Sequence, residues 1–246
     1  MKIFTIDNNV DGILSALFMS FTEKIIPDSV ENSLIFQPRL DAITIRITTN
    51  RDNVERVKKA LYTYAGSDII YHLKICLMAC DQNALTIAFN YAYLILKERK
   101  DVAEKLSEKA VSDFSFLVQK VLHERHIVSG FLRFTESQNG VLYARYSPDN
   151  DITALLAPHF LKRLGRNPFI IHDVKRNVIA ISNGVSIKTE YTELLPSFTE
   201  SQQEQYLQNL WKKYFRSVNI KERPHLSQQD SFFPRRYRKY CFETWE

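Results

Sequence analysis

The sequence has few of the residues that mark disordered, fibrous or membrane-spanning chains. Its 246 residues include only 6 glycines and 8 prolines, too few for a collagen-like or low-complexity protein. It contains no run of about 18 uncharged apolar residues, the length that a membrane helix needs. The N-terminal residues also lack the apolar stretch and cleavage site of a signal peptide. We therefore expect a protein of the cytoplasm.

Cysteine is scarce too, with three residues, Cys76, Cys80 and Cys241. An odd number without an export signal argues against a disulfide framework. Cys76 and Cys80 lie four residues apart in an apolar stretch, which favours small hydrophobic residues on one face of a buried helix. The alternative is a cluster site, but the spacing C-x3-C-x2-C of radical-SAM proteins fails at Asn83. We expect no cofactor in this chain.

The nearest approach to a metal motif is the segment from His123 to His126. The zinc helix of metalloproteases has two histidines four residues apart, so that both face one ion. Here the spacing is three, and the sequence signals no third ligand. We expect no metal site, and histidines at a solvated helix end explain the pattern.

Positive charge is concentrated in the second half of the chain. Residues 1–120 carry 15 Lys and Arg against 15 Asp and Glu, whereas residues 121–246 carry 18 against 13. The whole formal charge of +5 therefore belongs to the second half. This asymmetry favours a polyanionic partner such as nucleic acid, because cations that meet phosphates release counterions.

Periodicity predicts an α+β fold. In residues 1–128 we expect a strand over 2–6, a helix over 11–24, a strand over 42–48 and then a helical bundle. In residues 129–246 we expect a mostly antiparallel sheet with packed helices, since apolar alternation and turn signals recur. These strands are predicted over 131–135, 141–146, 169–173, 178–182 and 185–192, with helices over 152–164 and 201–218. The two parts form either two domains or one continuous domain.

Three residues are candidates for acid–base catalysis. His159 falls among apolar positions of its predicted helix, which suits either a hydrogen-bonded core residue or a functional imidazole. His172 and Asp173 are neighbours on a strand and point to opposite faces, so they cannot pair with each other. Asp173 is able to orient His159 only if the fold brings the two together.

Several cations are candidates for phosphate contacts. Arg133 and Arg145 interrupt apolar strands, which indicates either a carboxylate partner or a cleft that receives a phosphate. Lys175 and Arg176 lie at a predicted hairpin tip. We expect Arg133, Arg145, His159 and either Lys175 or Arg176 to converge on one concave surface.

Two further basic groups lie near the C-terminus. Lys212, Lys213 and Arg216 are predicted on one face of an amphipathic helix whose opposite face carries Trp211, Tyr214 and Phe215 as a buried anchor. Arg235 and Arg236 belong to a tail that alternates cations with aromatics. Such a tail suits phosphate contacts with base stacking, or aromatics docked on the core beside solvated cations.

Several segments together resemble a bacterial family of DNA metabolism and repair proteins whose biochemical function is unknown. They are residues 11–16 (DGILSA), 130–134 (GFLRF), 140–144 (GVLYA), 156–160 (LAPHF), 169–176 (FIIHDVKR) and 234–237 (PRRY). Members of that family are encoded beside a radical-SAM protein assigned to DNA modification or repair. The resemblance implies DNA and this radical-SAM protein as partners and supplies no catalytic residues. Arg238 stands where the family has tryptophan, which weakens a stacking role for the tail.

Three hypotheses follow. The leading one is a nucleic-acid-binding accessory protein of DNA metabolism or repair, whose radical-SAM partner supplies the redox chemistry. The second is an enzyme that acts directly on DNA through a cleft containing His159, Asp173 and the arginines. The third is a protein-interaction scaffold that does not touch DNA.

Overall fold

The computed structural model describes residues 1–193, 199–218 and 235–241, and only the backbone of Phe215 and Arg216. The chain divides into two compact units, Met1–Leu122 and His123–Glu246. None of the helices in the described segments has the length and apolar composition needed to cross a membrane.

The N-terminal unit contains a small parallel sheet. Its strands are β1 (Lys2–Ile6), β2 (Ser29–Asn32) and β3 (Ile43–Arg46). β1 lies in the centre, in the order β2-β1-β3, and pairs in parallel with both neighbours. Helix α1 (Val10–Glu23) connects β1 to β2. It begins where the Asn9 side chain accepts a hydrogen bond from the Gly12 N–H, a regular N-cap.

Helices complete this unit. They are α2 (Arg51–Ala65), α3 (Ile69–Leu77), α4 (Ala84–Glu98) and α5 (Lys109–Phe131), of which α5 continues past Leu122 into the second unit. Apolar residues of α1, α2 and α4 pack together, and the Tyr91 and Phe114 rings stack with centroids 3.9 Å apart. The expected helical bundle is therefore present, but it packs with a parallel sheet.

Two details of this unit differ from the sequence-based expectation. Strand β2 was not predicted, because the sequence Ser-Val-Glu-Asn has neither apolar alternation nor β-branched enrichment. Cys80 is exposed although Cys76 is completely buried. The prediction that both cysteines share a buried helical face is wrong, because α3 ends at Leu77. Burial raises the pKa of the Cys76 thiol to about 12.

The C-terminal unit is built on a five-stranded sheet. Its strands are β4 (Thr135–Glu136), β5 (Leu142–Tyr146), β6 (Phe169–Asp173), β7 (Val178–Ser182) and β8 (Ile187–Tyr191), in sequence order across the sheet. Helix α6 (Thr153–Leu164) connects β5 to β6, which are parallel, and the other three pairs are antiparallel. The predicted α+β class with a mostly antiparallel sheet is confirmed.

The turns of this sheet agree with the sequence signals. Gly140 has a φ of 73° between β4 and β5, and Asn177 has a φ of 55° between β6 and β7. The first predicted strand, however, is largely wrong. α5 continues to Phe131, and β4 contains only Thr135 and Glu136. An apolar run as short as Phe131-Leu132 does not distinguish a strand from the end of a buried helix.

Two helices follow the sheet in the described chain. α7 (Gln202–Val218) is held to the sheet edge by Glu204, whose carboxylate accepts a hydrogen bond from the Glu136 N–H at 3.1 Å. α8 (Arg235–Arg238) is a single turn.

Candidate nucleic-acid interface

Arg133 and Arg145 lie on the same narrow crevice of the C-terminal unit. The crevice, of about 10 Å³, is also lined by Tyr237 and Tyr240. Arg133 follows the last turn of α5, where its Nη1 donates to the Gly130 carbonyl at 3.2 Å. Arg145 is exposed on β5. The two arginines, 12 residues apart in sequence, are thus brought together by the hairpin between them.

The C-terminal turn α8 is anchored beside this crevice. Tyr237 is 4% exposed and its hydroxyl donates a short hydrogen bond to the Glu124 carboxylate. Burial, together with that hydrogen bond, raises the pKa of Tyr237. Cys241 is also buried, with its sulfur 3.4 Å from the Phe131 carbonyl oxygen. In the described part of the tail, Tyr237 therefore docks on the core, in agreement with one of the two alternatives for this segment.

Docking of Tyr237 places the tail cations at the surface. Arg235 is exposed. Arg236 is half exposed, lies 3.1 Å from the Asp149 carboxylate, and stacks over the Tyr237 ring at 4.9 Å. The Lys239 ammonium lies 4.7 Å from the Tyr240 ring centroid. Tyr237 and Tyr240, which line the crevice, are thus each in contact with a cation, so positive charge accompanies both rings.

Glu124 organises this region, and it was not among the predicted site residues. It is 4% exposed, and its carboxylate accepts hydrogen bonds from the Asp149 and Asn150 N–H groups, both at 2.8 Å. It also accepts from the Asn150 side-chain amide. A signal was present, because Glu124 falls between Val121 and Val128 on the buried stripe of α5. A carboxylate on such a stripe requires several donors.

Arg176 and Asp173 form a second buried anchor. Asp173 is completely buried and accepts from the Lys175 N–H at 2.9 Å and from the Arg176 guanidinium at 2.9 Å. Arg176 also donates to the carbonyl oxygens of Pro148 and Asp149. The Arg176 guanidinium therefore joins the turn between β6 and β7 to the loop after β5. Lys175, beside it, is exposed.

The proposed pairing of His159 with Asp173 is not present. His159 is exposed on α6, whereas the Asp173 carboxylate is buried and bound within its own hairpin. The buried positions of α6 are Thr153, Leu156, Ala157 and Phe160. The expectation that His159 lies in an apolar face is wrong, because the buried stripe is shifted by one residue from the assumed one. His159 and Lys175 are also not among the residues that line the arginine crevice.

His172 is the buried histidine of this unit. It is 1% exposed, and its Nδ1 lies 2.8 Å from the Tyr143 hydroxyl in a hydrogen bond. Its Nε2 has no hydrogen-bond partner among the described residues. Burial lowers the pKa of His172, so the imidazole is neutral at neutral pH. His172 and Asp173 point to opposite faces of β6, as the strand geometry requires.

Helix α7 differs most from the expectation. Tyr206, Leu207, Leu210, Trp211 and Tyr214 are all exposed, and the buried side chains of this helix include Glu204 and Gln208. The prediction of a buried aromatic anchor is wrong for Trp211 and Tyr214, and the Phe215 side chain lies outside the described residues. Glu204 instead docks the helix through a polar contact. Lys213 is exposed and Lys212 is half-buried, while the Arg216 side chain lies outside the described residues.

A family model matches residues 82–243 of the chain and is described as a domain of unknown function, DUF4130. The match covers 162 of 246 residues. The chain belongs to this family. No match was found among curated proteins.

The DUF4130 region contains every residue of the candidate interface. It begins just before α4 and extends beyond Cys241, so it includes the crevice, the Glu124 anchor and α8. The family description assigns no function, and the expected roles of DNA and of a radical-SAM partner stay predictions. No group of three His, Cys, Asp or Glu side chains suited to a metal ion occurs in the described part of the chain.

Proposed function

We propose that the C-terminal unit binds nucleic acid, and DNA in the first place, through the surface formed by Arg133, Arg145 and the cations of α8. The observation that carries the proposal is the crevice where both arginines meet Tyr237 and Tyr240. Guanidinium groups bind phosphates with directed hydrogen bonds, and the half-buried ring of Tyr240 offers an aromatic surface for an unpaired base.

The charge of the two units supports the same proposal. The 15 cations and 15 acids of residues 1–120 cancel, whereas residues 121–246 carry the net charge of +5. Within the C-terminal unit, three of the described acids, Glu124, Asp173 and Glu204, are buried. Each accepts hydrogen bonds inside the fold, so these carboxylates add little negative charge to the surface, which favours a polyanion there.

In this proposal the protein is an accessory factor of DNA metabolism or repair in the cytoplasm, and a radical-SAM protein acts with it. The support for this context is the resemblance of its sequence segments to a family with such a neighbour. An enzyme with a His159–Asp173 pair receives no support, since those side chains are not together.

DNA affinity measured over a range of salt concentrations tests the proposal. We expect binding at low salt whose logarithm falls linearly with the logarithm of salt, and a slope reduced by about one on removal of each phosphate contact. Arg145→Ala and Arg235→Ala are expected to weaken binding and reduce this slope. Arg51→Ala, which removes an exposed arginine of the N-terminal unit, is the matched control and is expected to leave both unchanged.

Either of two results contradicts a DNA contact at this surface. They are no DNA binding at low salt, and equal binding by Arg145→Ala, Arg235→Ala and Arg51→Ala. If the same variants instead lose co-purification with the radical-SAM protein while DNA binding persists, the surface is a protein docking site.

A further inference from the structure

The N-terminal unit has a cleft at the end of its parallel sheet. β1 ends at Ile6 and β2 at Asn32, and the chain then crosses to the other side of β1 to form β3. In open parallel sheets, ligands bind beyond the carboxyl ends of strands, where the connections diverge to opposite sides. A cavity of about 720 Å³ lies at this place. That volume is within the range of about 300 to 1,000 Å³ found for small-molecule sites.

The walls of the cleft are held by specific contacts. The Thr86 hydroxyl accepts from the Val30 N–H at 2.9 Å and donates to the Val30 carbonyl at 3.1 Å, which binds the first turn of α4 to β2. The segment after β2 is tied back by an ion pair of 3.1 Å between Arg39 and Glu31. Contacts within the chain therefore fix the walls of the cleft, as in most small-molecule sites.

The charges that line the cleft do not favour a phosphate. Arg39 is the only cationic residue of its lining that the structure describes, and it is already paired with Glu31. Asp81 adds a second carboxylate, which accepts a hydrogen bond from the Asn83 N–H. An anion placed here meets two acids and one compensated arginine. A neutral ligand is therefore the better match.

Carboxamides supply most of the hydrogen-bonding capacity of the cleft. Asn8, Gln37 and Gln82 line it and are exposed, and their side-chain amides have no hydrogen bonds with other described residues. Each amide presents a donor beside an acceptor. This pair matches the adjacent donor and acceptor on the edge of a nucleobase, which Asn and Gln bind in a bidentate manner.

Apolar side chains line the same cleft. Phe36, Leu77 and Leu85 contribute to the lining, and Phe36 is half-buried there. An aromatic ring with two aliphatic side chains suits the flat face of a heterocycle. We propose that this cleft binds a nucleobase, free or as its nucleoside, with the base edge on the carboxamides and its face on Phe36.

Isothermal titration calorimetry of the full chain with adenosine, guanosine, cytidine, uridine and thymidine tests this site, with ribose and glucose as sugar controls. We expect at least one nucleoside to bind with a Kd of about 1 mM or below, and no binding of ribose or glucose. The matching 5′-monophosphate is expected to bind no more tightly than its nucleoside. Phe36→Ala and Gln82→Ala should each weaken binding by about tenfold, whereas Gln119→Ala, an exposed glutamine on α5, should not.

Four results overturn the proposal. They are no binding of any nucleoside, equal binding of a sugar control, tenfold tighter binding of the monophosphate, and an affinity unchanged by both cleft variants. Failure of nucleoside binding is distinguishable from failure of DNA binding by the C-terminal unit. Arg145→Ala is expected to weaken DNA binding, and it leaves every residue of this cleft in place.

Discussion

The two units of the protein use charged residues differently. In the N-terminal unit, ion pairs such as Lys58 with Glu55, 3.3 Å apart, lie at the surface. In the C-terminal unit, the carboxylates of Glu124 and Asp173 are buried and each binds backbone N–H groups as well as a side chain. Exposed pairs contribute little to stability, whereas a buried carboxylate depends on every donor around it. The C-terminal unit should therefore be the one whose folding depends on individual charges.

The largest expected effect is at Glu124. Glu124→Ala removes the acceptor for the Asp149 and Asn150 N–H groups and for the Tyr237 hydroxyl. We expect the free energy of unfolding to fall by about 3 to 5 kcal/mol. Urea unfolding, followed by circular dichroism, measures it. Glu55→Ala, with its partner at the surface, is the control and should change stability by less than about 1 kcal/mol. Equal losses for the two variants would remove the contrast between the units.

The second effect separates two arginines of the same unit. Arg176→Ala removes the guanidinium that pairs with buried Asp173 at 2.9 Å, and it should lower the free energy of unfolding by roughly 2 to 3 kcal/mol. Arg145→Ala should change it by less than about 0.5 kcal/mol, because Arg145 is exposed. Thermal melting of both variants and of the unchanged protein measures the two losses of stability. A destabilised Arg145→Ala with an intact Arg176→Ala would reverse the two assigned roles.

Sequence patterns predicted the elements whose signals are local. The hairpin of β6 and β7 was predictable because two short apolar runs flank a polar turn. The parallel pairing of β5 with β6 was not predicted, although the order strand, helix, strand around α6 favours it. β2 was missed for a different reason. Its four residues form a strand only because β1 is beside them.

The candidate site was predictable in its residue types but not in its geometry. Arg133, Arg145, Arg235 and Arg236 were recognised as cations among apolar residues, and the fold places them around one crevice or beside it. Arg176 was predicted as a phosphate contact at a hairpin tip, yet its guanidinium pairs with the buried Asp173 carboxylate. Sequence alone does not distinguish an arginine that meets a partner from one that meets a buried carboxylate, because the carboxylate is placed by the tertiary fold.

A smaller effect concerns pH. Burial lowers the pKa of His172 from its ordinary value of 6.5, so the folded state takes up fewer protons than the unfolded state below that value. The neutral imidazole therefore contributes its full stability above the pKa that His172 has in the unfolded state. This contribution is lost as the pH falls towards the lower pKa that His172 has in the folded state. We expect the melting temperature to drop between pH 7 and pH 5, and His172→Gln to flatten this drop. An equally steep profile in the variant would assign the effect to other groups.

The smallest effect is expected on α7. Trp211 and Tyr214 are 40% and 57% exposed, so Trp211→Ala and Tyr214→Ala should each change the free energy of unfolding by no more than about 0.5 kcal/mol. Chemical denaturation measures this directly. A loss of about 3 kcal/mol, typical of a buried aromatic ring, would mean that the ring is covered in solution.

The double hydrogen bond between Thr86 and Val30 has a consequence for solubility. β2 is an outer strand of its sheet, and an outer strand with free N–H and C=O groups is a template for aggregation. One hydroxyl occupies both groups of Val30, in the middle of a strand only four residues long. Loss of that hydroxyl would leave an open edge on which a strand of another molecule is able to add.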